Sequence, residues 1–360
     1  MSRRDSVPCA AFLAVCLVFI ACLSRRYTTP AASPPAAPAA GGEAAAPPFD
    51  IWLDNPEDFY ATLGGEPRPG DPLTLIFLPG GGEAERYRAL KADLLDAKGR
   101  RLGGAYFFDW TLDEEGHTLK ACVLAVPSTY DGGEALVKIE GAPGVLAEFG
   151  LKLKERSFLS EEIPLGPANT ALRTVPDPKK TEESERLRAI ITRAGDTVYT
   201  TGPFTPPVAA DTRRTGYFGD RRVYLYTSGR SDPAVHAGID YGVPVGTPVM
   251  ACGAGRVALA RSRIVTGNSI VIEHLPGLYS IYYHLDKIFV EEGVMVNEGD
   301  AIGLSGATGL ATGPHLHWEL RVAAENTDPD ALCARAILDR DAAKRLVNER
   351  GEQVYAELSW

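Results

Sequence analysis

From Phe49 onward the chain is written in short apolar runs, each closed within a few positions by glycine or another turn residue. Residues 73–78, 105–108, 122–126 and 135–139 form a first series. Residues 256–260, 269–274, 279–284, 301–305 and 315–321 form a second, lying between Gly216 and Arg321. Lys98-Gly99 and Asp131-Gly132-Gly133 break the first series, and glycines separate nearly all of the second. Runs this short suit strands between turns better than helices, which need ten or more residues. The expected fold class is therefore mostly β, with residues 49–154 as a small antiparallel β-sandwich and a second β-rich region downstream.

At 360 residues the chain has room for two ordinary domains. Its 45% hydrophobic and 23% charged content is that of a globular protein. A formal net charge of −10, with no basic stripe, excludes nucleic acid as a partner, because nothing displaces counterions from phosphates.

The first residues read as an address. Arg3 and Arg4 precede an uncharged apolar run from Val7 to Leu23, so residues 1–27 are expected to be an export segment. Phe19-Ile20-Ala21-Cys22 is similar to a lipobox, which would make Cys22 the lipidated residue of a lipoprotein. The alternative is an uncleaved membrane anchor, since the run is just long enough to begin spanning a bilayer. Either reading places the rest of the chain outside the cytoplasm, tethered to a membrane. Residues 28–48, mostly Pro, Ala and Gly, form an extended tether.

Residues 155–205 read as a connector with a short helix, carried by Leu187, Ile190 and Ile191 within 181–193. Residues 331–360 read as a C-terminal helical extension, with Asp328 as N-cap, Pro329 at the first turn and Gly351 as the stop. Of the six cysteines, Cys9, Cys16 and Cys22 lie in the export segment. Cys122, Cys252 and Cys333 are too few and too scattered for a disulfide framework or a metal site.

Five of the six histidines fall between His236 and His317, four of them in three motifs: His236-Ala-Gly-Ile-Asp240, Tyr282-Tyr-His284-Leu285 and Gly313-Pro-His315-Leu-His317. Hydrolytic zinc sites take three ligands from His and carboxylate and leave a position open for water. His236, Asp240 and one member of the His315/His317 pair meet that need. Residues two apart on a strand share a face, so the other member would stand beside the ion, with His284 as a second non-ligand histidine. Zinc would bring its water to a pKa of about 7 and a histidine would carry the proton, as amide hydrolysis requires. A closed structural zinc site would want a fourth ligand, commonly Cys, and these motifs hold none. The remaining histidines read differently: His117 as an exposed turn residue and His274 as a structural strand end. Asn268 and Tyr282 are candidates for lining a groove, with packing the alternative for the tyrosine. Residues 223–235 are expected either to shape one end of that groove or to form an ordinary strand and loop.

Around these motifs stand Phe218-Gly219-Asp220-Arg221-Arg222, Gly246-Thr-Pro-Val249, Gly255-Arg-Val257, Gly267-Asn268, Gly277-Leu-Tyr279, Gly299-Asp-Ala-Ile-Gly303 and Gly306-Ala-Thr-Gly309. Together they make residues 206–330 resemble the LytM/lysostaphin-type zinc endopeptidases. The resemblance implies a compact, mostly antiparallel β domain with a groove over the metal. It implies Zn2+ held by His236, Asp240 and His317, His315 as general base and His284 as its catalytic partner. The implied substrate is the peptide part of peptidoglycan, cut in stems or crosslinks, in the periplasm or cell envelope. A latent or inactive relative that binds cell wall and regulates a partner hydrolase is the alternative. Residues 49–154, with Pro69-Gly-Asp-Pro-Leu73, resemble the immunoglobulin-like domain that precedes such catalytic domains.

Overall fold

The structure, a computed structural model of the chain, describes residues 51–52, 59–62, 66–78, 89–112, 118–142, 144–193 and 195–357. The export segment with Cys22, the 28–48 tether and His117 lie outside the described residues. No described helix is long and apolar enough to cross a membrane.

The first strand series folds into two facing antiparallel sheets. One holds β1 (Ile51–Trp52), β2 (Phe59–Thr62), β3 (Pro72–Phe77), β7 (Thr118–Ala125) and β6 (Phe108–Thr111), in that spatial order. The other holds β5 (Arg101–Tyr106), β4 (Lys91–Asp96), β8 (Gly133–Gly141) and β9 (Gly144–Leu153). Leu73, Leu75, Phe77, Cys122 and Leu124 meet Ala92, Leu94, Val137, Ile139 and Phe149 between the sheets. β9 alternates buried and exposed residues, as a strand with one solvated face must. β3 is buried along its whole length, because its second face is covered too. Ile76, with Trp110, Ala121 and Val123, packs into a core shared with the second β region.

That region is built on an eight-stranded sheet. Its order is β11 (Arg214–Gly216), β14 (Ile239–Tyr241), β22 (Leu316–Val322), β18 (Leu278–Leu285), β17 (Gly267–Leu275), β16 (Gly255–Arg263) and β20 (Met295–Val296), with β23 (Glu325–Thr327) also pairing β22. A three-stranded sheet of β15 (Pro248–Met250), β21 (Ala301–Leu304) and β19 (Lys287–Ile288) accompanies it. Leu316, Trp318, Leu320, Leu278 and Tyr282 point from one face into the shared core. Tyr279, Ile281, Tyr283, Leu259 and Val271 lie on the other, under Ile191 of a helix.

The segment between the two regions is more than a connector. Its strand β10 (Ser160–Pro164) pairs parallel with β12 (Arg221–Leu225), which pairs antiparallel with β13 (Ser231–Val235). It carries two helices, α1 (Pro167–Thr174) and α2 (Pro178–Ile191). Asp177 caps α2 by accepting the Lys179 N–H, with Pro178 at the first position.

The C-terminal reading needs correction. Asp328 and Pro329 do start a helix, α3 (Pro329–Ala334), but it stops after six residues. A second helix, α4 (Arg340–Glu357), runs through Gly351. The break results from long-range bonds that draw the backbone away: the Thr74 hydroxyl donates to the Ile337 carbonyl at 2.8 Å, and Leu338 N–H donates to Thr201 O at 3.2 Å. Asp339 then caps the next helix by accepting from Ala342 N. Gly351 costs the helix about 1 kcal/mol in propensity, which is too little to end it without a left-handed cap geometry.

Candidate active site and metal centre

The register of β22 assembles the site. Asp240 on β14 lies directly across from His317, and so does Tyr283 on β18. Directly opposed residues of adjacent strands share a face. The Tyr283 ring accordingly stacks on His317, with centroids 5.5 Å apart and planes 8° from parallel. His236 enters from the turn between β13 and β14. Its Nδ1–H donates to the Tyr217 carbonyl at 2.8 Å, leaving the Nε2 lone pair free to face the site. The glycine of this motif is obligatory, since a Cβ at Gly238 would sit 2.0 Å from the Trp318 carbonyl oxygen.

Three donor atoms converge. His236 Nε2 lies 3.0 Å from Asp240 Oδ1 and 3.0 Å from His317 Nδ1, and His317 Nδ1 lies 2.7 Å from the same Asp240 oxygen. Donors around a tetrahedral zinc, each at about 2.1 Å, stand about 3.4 Å apart, so a few tenths of an ångström of opening would admit the ion. Among the described residues this trio is the group of His, Cys and carboxylate side chains placed to hold a metal. Outer contacts aim each donor. Glu319 Oε1 accepts from His317 Nε2 at 2.9 Å, which pins one proton on Nε2 and makes Nδ1 the nitrogen that would be given up to an ion. Arg222 donates to Asp240 Oδ2 at 2.8 Å and to Glu161 Oε1 at 2.6 Å, turning Oδ1 towards the two imidazoles.

The electrostatics ask for a cation. Burial alone would lower the pKa of His317, but the carboxylates of Asp240 and Glu319 outweigh it and push the group up to about 9. Burial alone would raise the carboxyl of Asp240, yet the His236 and His317 imidazoles against it hold it well below the usual range. A proton meets this demand in part; a divalent ion held by two nitrogens and one oxygen meets it better. Three protein donors, none of them Cys, leave a position open, which is the pattern of a catalytic rather than a structural site.

His315 and His284 flank the trio without joining it. His315 Nδ1–H donates to the Gly313 carbonyl at 2.8 Å, and its bare Nε2 stands 3.8 Å from Asp240 Oδ1. His284 Nδ1–H donates to Thr308 O at 2.8 Å. The two rings lie 4.7 Å apart. Burial pushes both below the ordinary imidazole pKa, His284 to about 3, so each is neutral with a free Nε2. His284 gets there through an irregular backbone: φ is +61° and the β17–β18 register slips beside it. A slip of this kind re-aims a side chain that strict alternation would send to the opposite face.

All five residues proposed from the sequence line one groove of about 550 Å3. Tyr224, Ala234 and Val235 line it too, so part of residues 223–235 does shape it. Asn268 and Tyr282 are not among its lining residues. Asn268 donates to the Leu285 and Asp286 carbonyls, and Tyr282 is fully buried, its hydroxyl taking the Cys252 N–H at 2.9 Å. His274 is buried and bonded to Ala254 O and Ser280 Oγ, a structural role. The three described cysteines are free thiols. Sequence reasoning missed Glu319 as the partner of His317, Arg222 as the partner of Asp240, and Glu161. A signal for the first existed: His315, His317, Glu319 and Arg321 alternate with apolar residues, so one polar face runs along β22.

Comparison with known proteins agrees with this geometry. Residues 234–329 match the model of Peptidase family M23. The peptidoglycan DD-endopeptidase ShyA of Vibrio cholerae serotype O1 is 43% identical over 116 residues, 32% of this chain and 26% of that protein. A metalloprotease of Buchnera aphidicola subsp. Baizongia pistaciae is 41% identical over 113 residues, 31% of this chain and 30% of that one. The chain thus aligns with less than a third of the length of either relative. In fold, the structure is similar to a peptidase M23 from Pseudomonas aeruginosa, with TM-score 0.52 and 24% identity, covering 75% of this chain and 96% of that one. The matched stretch contains all five site residues, and the C-terminal region of this chain is a Peptidase family M23 domain.

Proposed function

We propose that the chain is a zinc-dependent endopeptidase that hydrolyses stem peptides or peptide crosslinks of peptidoglycan. The observation that carries this reading is the convergence of three aimed donors with two neutral, bare-nitrogen histidines in one groove. His236, Asp240 and His317 would hold the ion. Bound there, zinc supplies Lewis acidity and a water acidified to near neutrality. His315 accepts a proton at Nε2, the nitrogen its Gly313 contact leaves free, and returns it to the leaving amine. His284 offers the second bare Nε2 beside it. Retention of all five residues supports an active enzyme over an inactive, wall-binding relative.

The name of the relative ShyA supports peptidoglycan as the substrate. Because that polymer lies outside the cytoplasm, we extend the reading to an exported protein tethered through lipidated Cys22 or an uncleaved anchor; intact-mass measurement distinguishes them. We take residues 206–330 as the catalytic domain. The upstream order β2-β3-β7-β6 against β5-β4-β8-β9 supports an immunoglobulin-like sandwich, which places strands A-B-E-D against C-F-G.

The test is zinc content beside hydrolysis of a crosslinked muropeptide. His317→Ala is expected to lose both. His315→Ala is expected to keep its zinc and lose turnover by about 10²–10⁴-fold, the usual contribution of a general base. If both variants keep zinc and full activity, the metallopeptidase reading is wrong.

A further inference from the structure

The groove has a cation at one end that the hydrolytic chemistry does not use. α1 ties together two segments that border the groove, one holding Leu310 and Thr312 and the other Tyr224. Asn169 Nδ2 donates to Ala311 O, in the segment leading to His315, at 2.9 Å. One turn later Arg173 Nε donates to the Tyr226 hydroxyl, just beyond β12, at 2.8 Å. Residues four apart project from one face of a helix, so a single face of α1 makes both contacts.

The Arg173 guanidinium is held in place as well as present. Its Cζ sits 4.1 Å over the centre of the Tyr224 ring, and the Tyr226 hydroxyl is itself fixed to Asp232 Oδ2 at 2.5 Å. Both Arg173 and Tyr224 line the groove. The Nη groups of Arg173 have no hydrogen-bond or ion-pair partner among the described residues, whereas the groove's carboxylates are committed elsewhere. Glu161 and Asp240 share Arg222, and Glu319 is held by His317 and Arg321. A stacked, oriented fork with free Nη donors is the arrangement that binds a carboxylate in two parallel hydrogen bonds.

We propose that Arg173, stacked on Tyr224, recognises a free carboxylate of the peptide substrate at the α1 end of the groove. The proposal rests on the peptidase reading and adds its specificity: peptides that present a carboxylate near the scissile bond are favoured over amidated ones.

The test uses the zinc-loaded full chain and two synthetic crosslinked stem peptides, identical except that one has its terminal carboxylate amidated. The wild type is expected to cleave the carboxylate form with kcat/KM on the order of tenfold higher or more, the size of a charge-assisted hydrogen-bond pair. Arg173→Gln should abolish that preference by raising KM for the carboxylate form to that of the amide. Asn169→Ala, which loosens α1 without touching the cation, should lower both rates alike and keep the preference. Equal wild-type rates on the two peptides, or an Arg173→Gln variant that loses both rates in parallel, would overturn the proposal. Failure of the wild type to cleave either peptide would instead remove the peptidase reading, and this proposal with it.

Discussion

Glu319→Gln changes a single atom's chemistry beside the proposed metal ligand, and the hydrogen bonds around that atom fix the consequence. The carboxylate is buried and divides its oxygens, Oε1 accepting from His317 Nε2 at 2.9 Å and Oε2 from Arg321 Nε at 2.7 Å. Both partners are donors. A glutamine has one oxygen, and Arg321 has no acceptor to offer, so the amide oxygen must stay with Arg321 and the NH2 must face His317. His317 then has to accept at Nε2 and carry its proton on Nδ1, the nitrogen that faces Asp240 and the proposed ion. Metal binding would first have to restore the other tautomer, at the cost of an unpaired NH2. Loss of such an outer contact typically weakens metal binding by about 10–100-fold, which is about 1.4–2.7 kcal/mol. The assay is competition for zinc with a chromophoric chelator at neutral pH, run beside thermal unfolding of the metal-free protein. Arg321→Leu is the control. It leaves the Glu319–His317 contact intact, so it should lose stability, by about 3 kcal/mol for a broken buried pair, while keeping zinc affinity. Glu319→Gln binding zinc within twofold of the wild type would refute the argument that this carboxylate sets the His317 tautomer.

Two further outcomes are expected from the packing. Burial depresses the pKa of His274 from 6.5 to about 4, so its stabilisation is complete above pH 6.5 and is lost as pH falls towards 4, by about 3 kcal/mol. Denaturant unfolding of His274→Gln across that range should show a correspondingly flatter acid limb, and parallel curves would contradict this. A truncation starting at Thr205 removes Ile191 and uncovers Val271, Tyr279 and Ile281, while also stripping Trp110 and Ala121 from the shared core. It should bind a hydrophobic dye and aggregate; a monomeric product with the wild-type melting temperature would show that the upstream segments do not support the sheet.

Local chemistry was legible in the residues themselves. Short runs between glycines announced strands, because a strand needs only five or six residues and a turn to end it. The alternation of β9 and the mostly apolar run of β3, broken only at Thr74, even distinguish a half-solvated strand from one covered on both faces. The motif residues His236, Asp240, His315 and His317 were identifiable as donors, because ligand type and a two-residue period are properties of sequence. What spacing left open was which histidine of the pair meets Asp240, since both share a face of one strand. The register of β14 on β22 decides it by setting Asp240 opposite His317. The same holds for every long-range partner. Arg222 reaches Asp240 and Glu161, Arg173 reaches Tyr226, and Thr74 holds Ile337 and interrupts the C-terminal helix. Each of these bonds joins groups separated by 18 to 263 residues, so no local pattern encodes its existence. Only closing the chain into packed sheets brings those groups within hydrogen-bond reach, and burial then makes leaving them unpaired too costly.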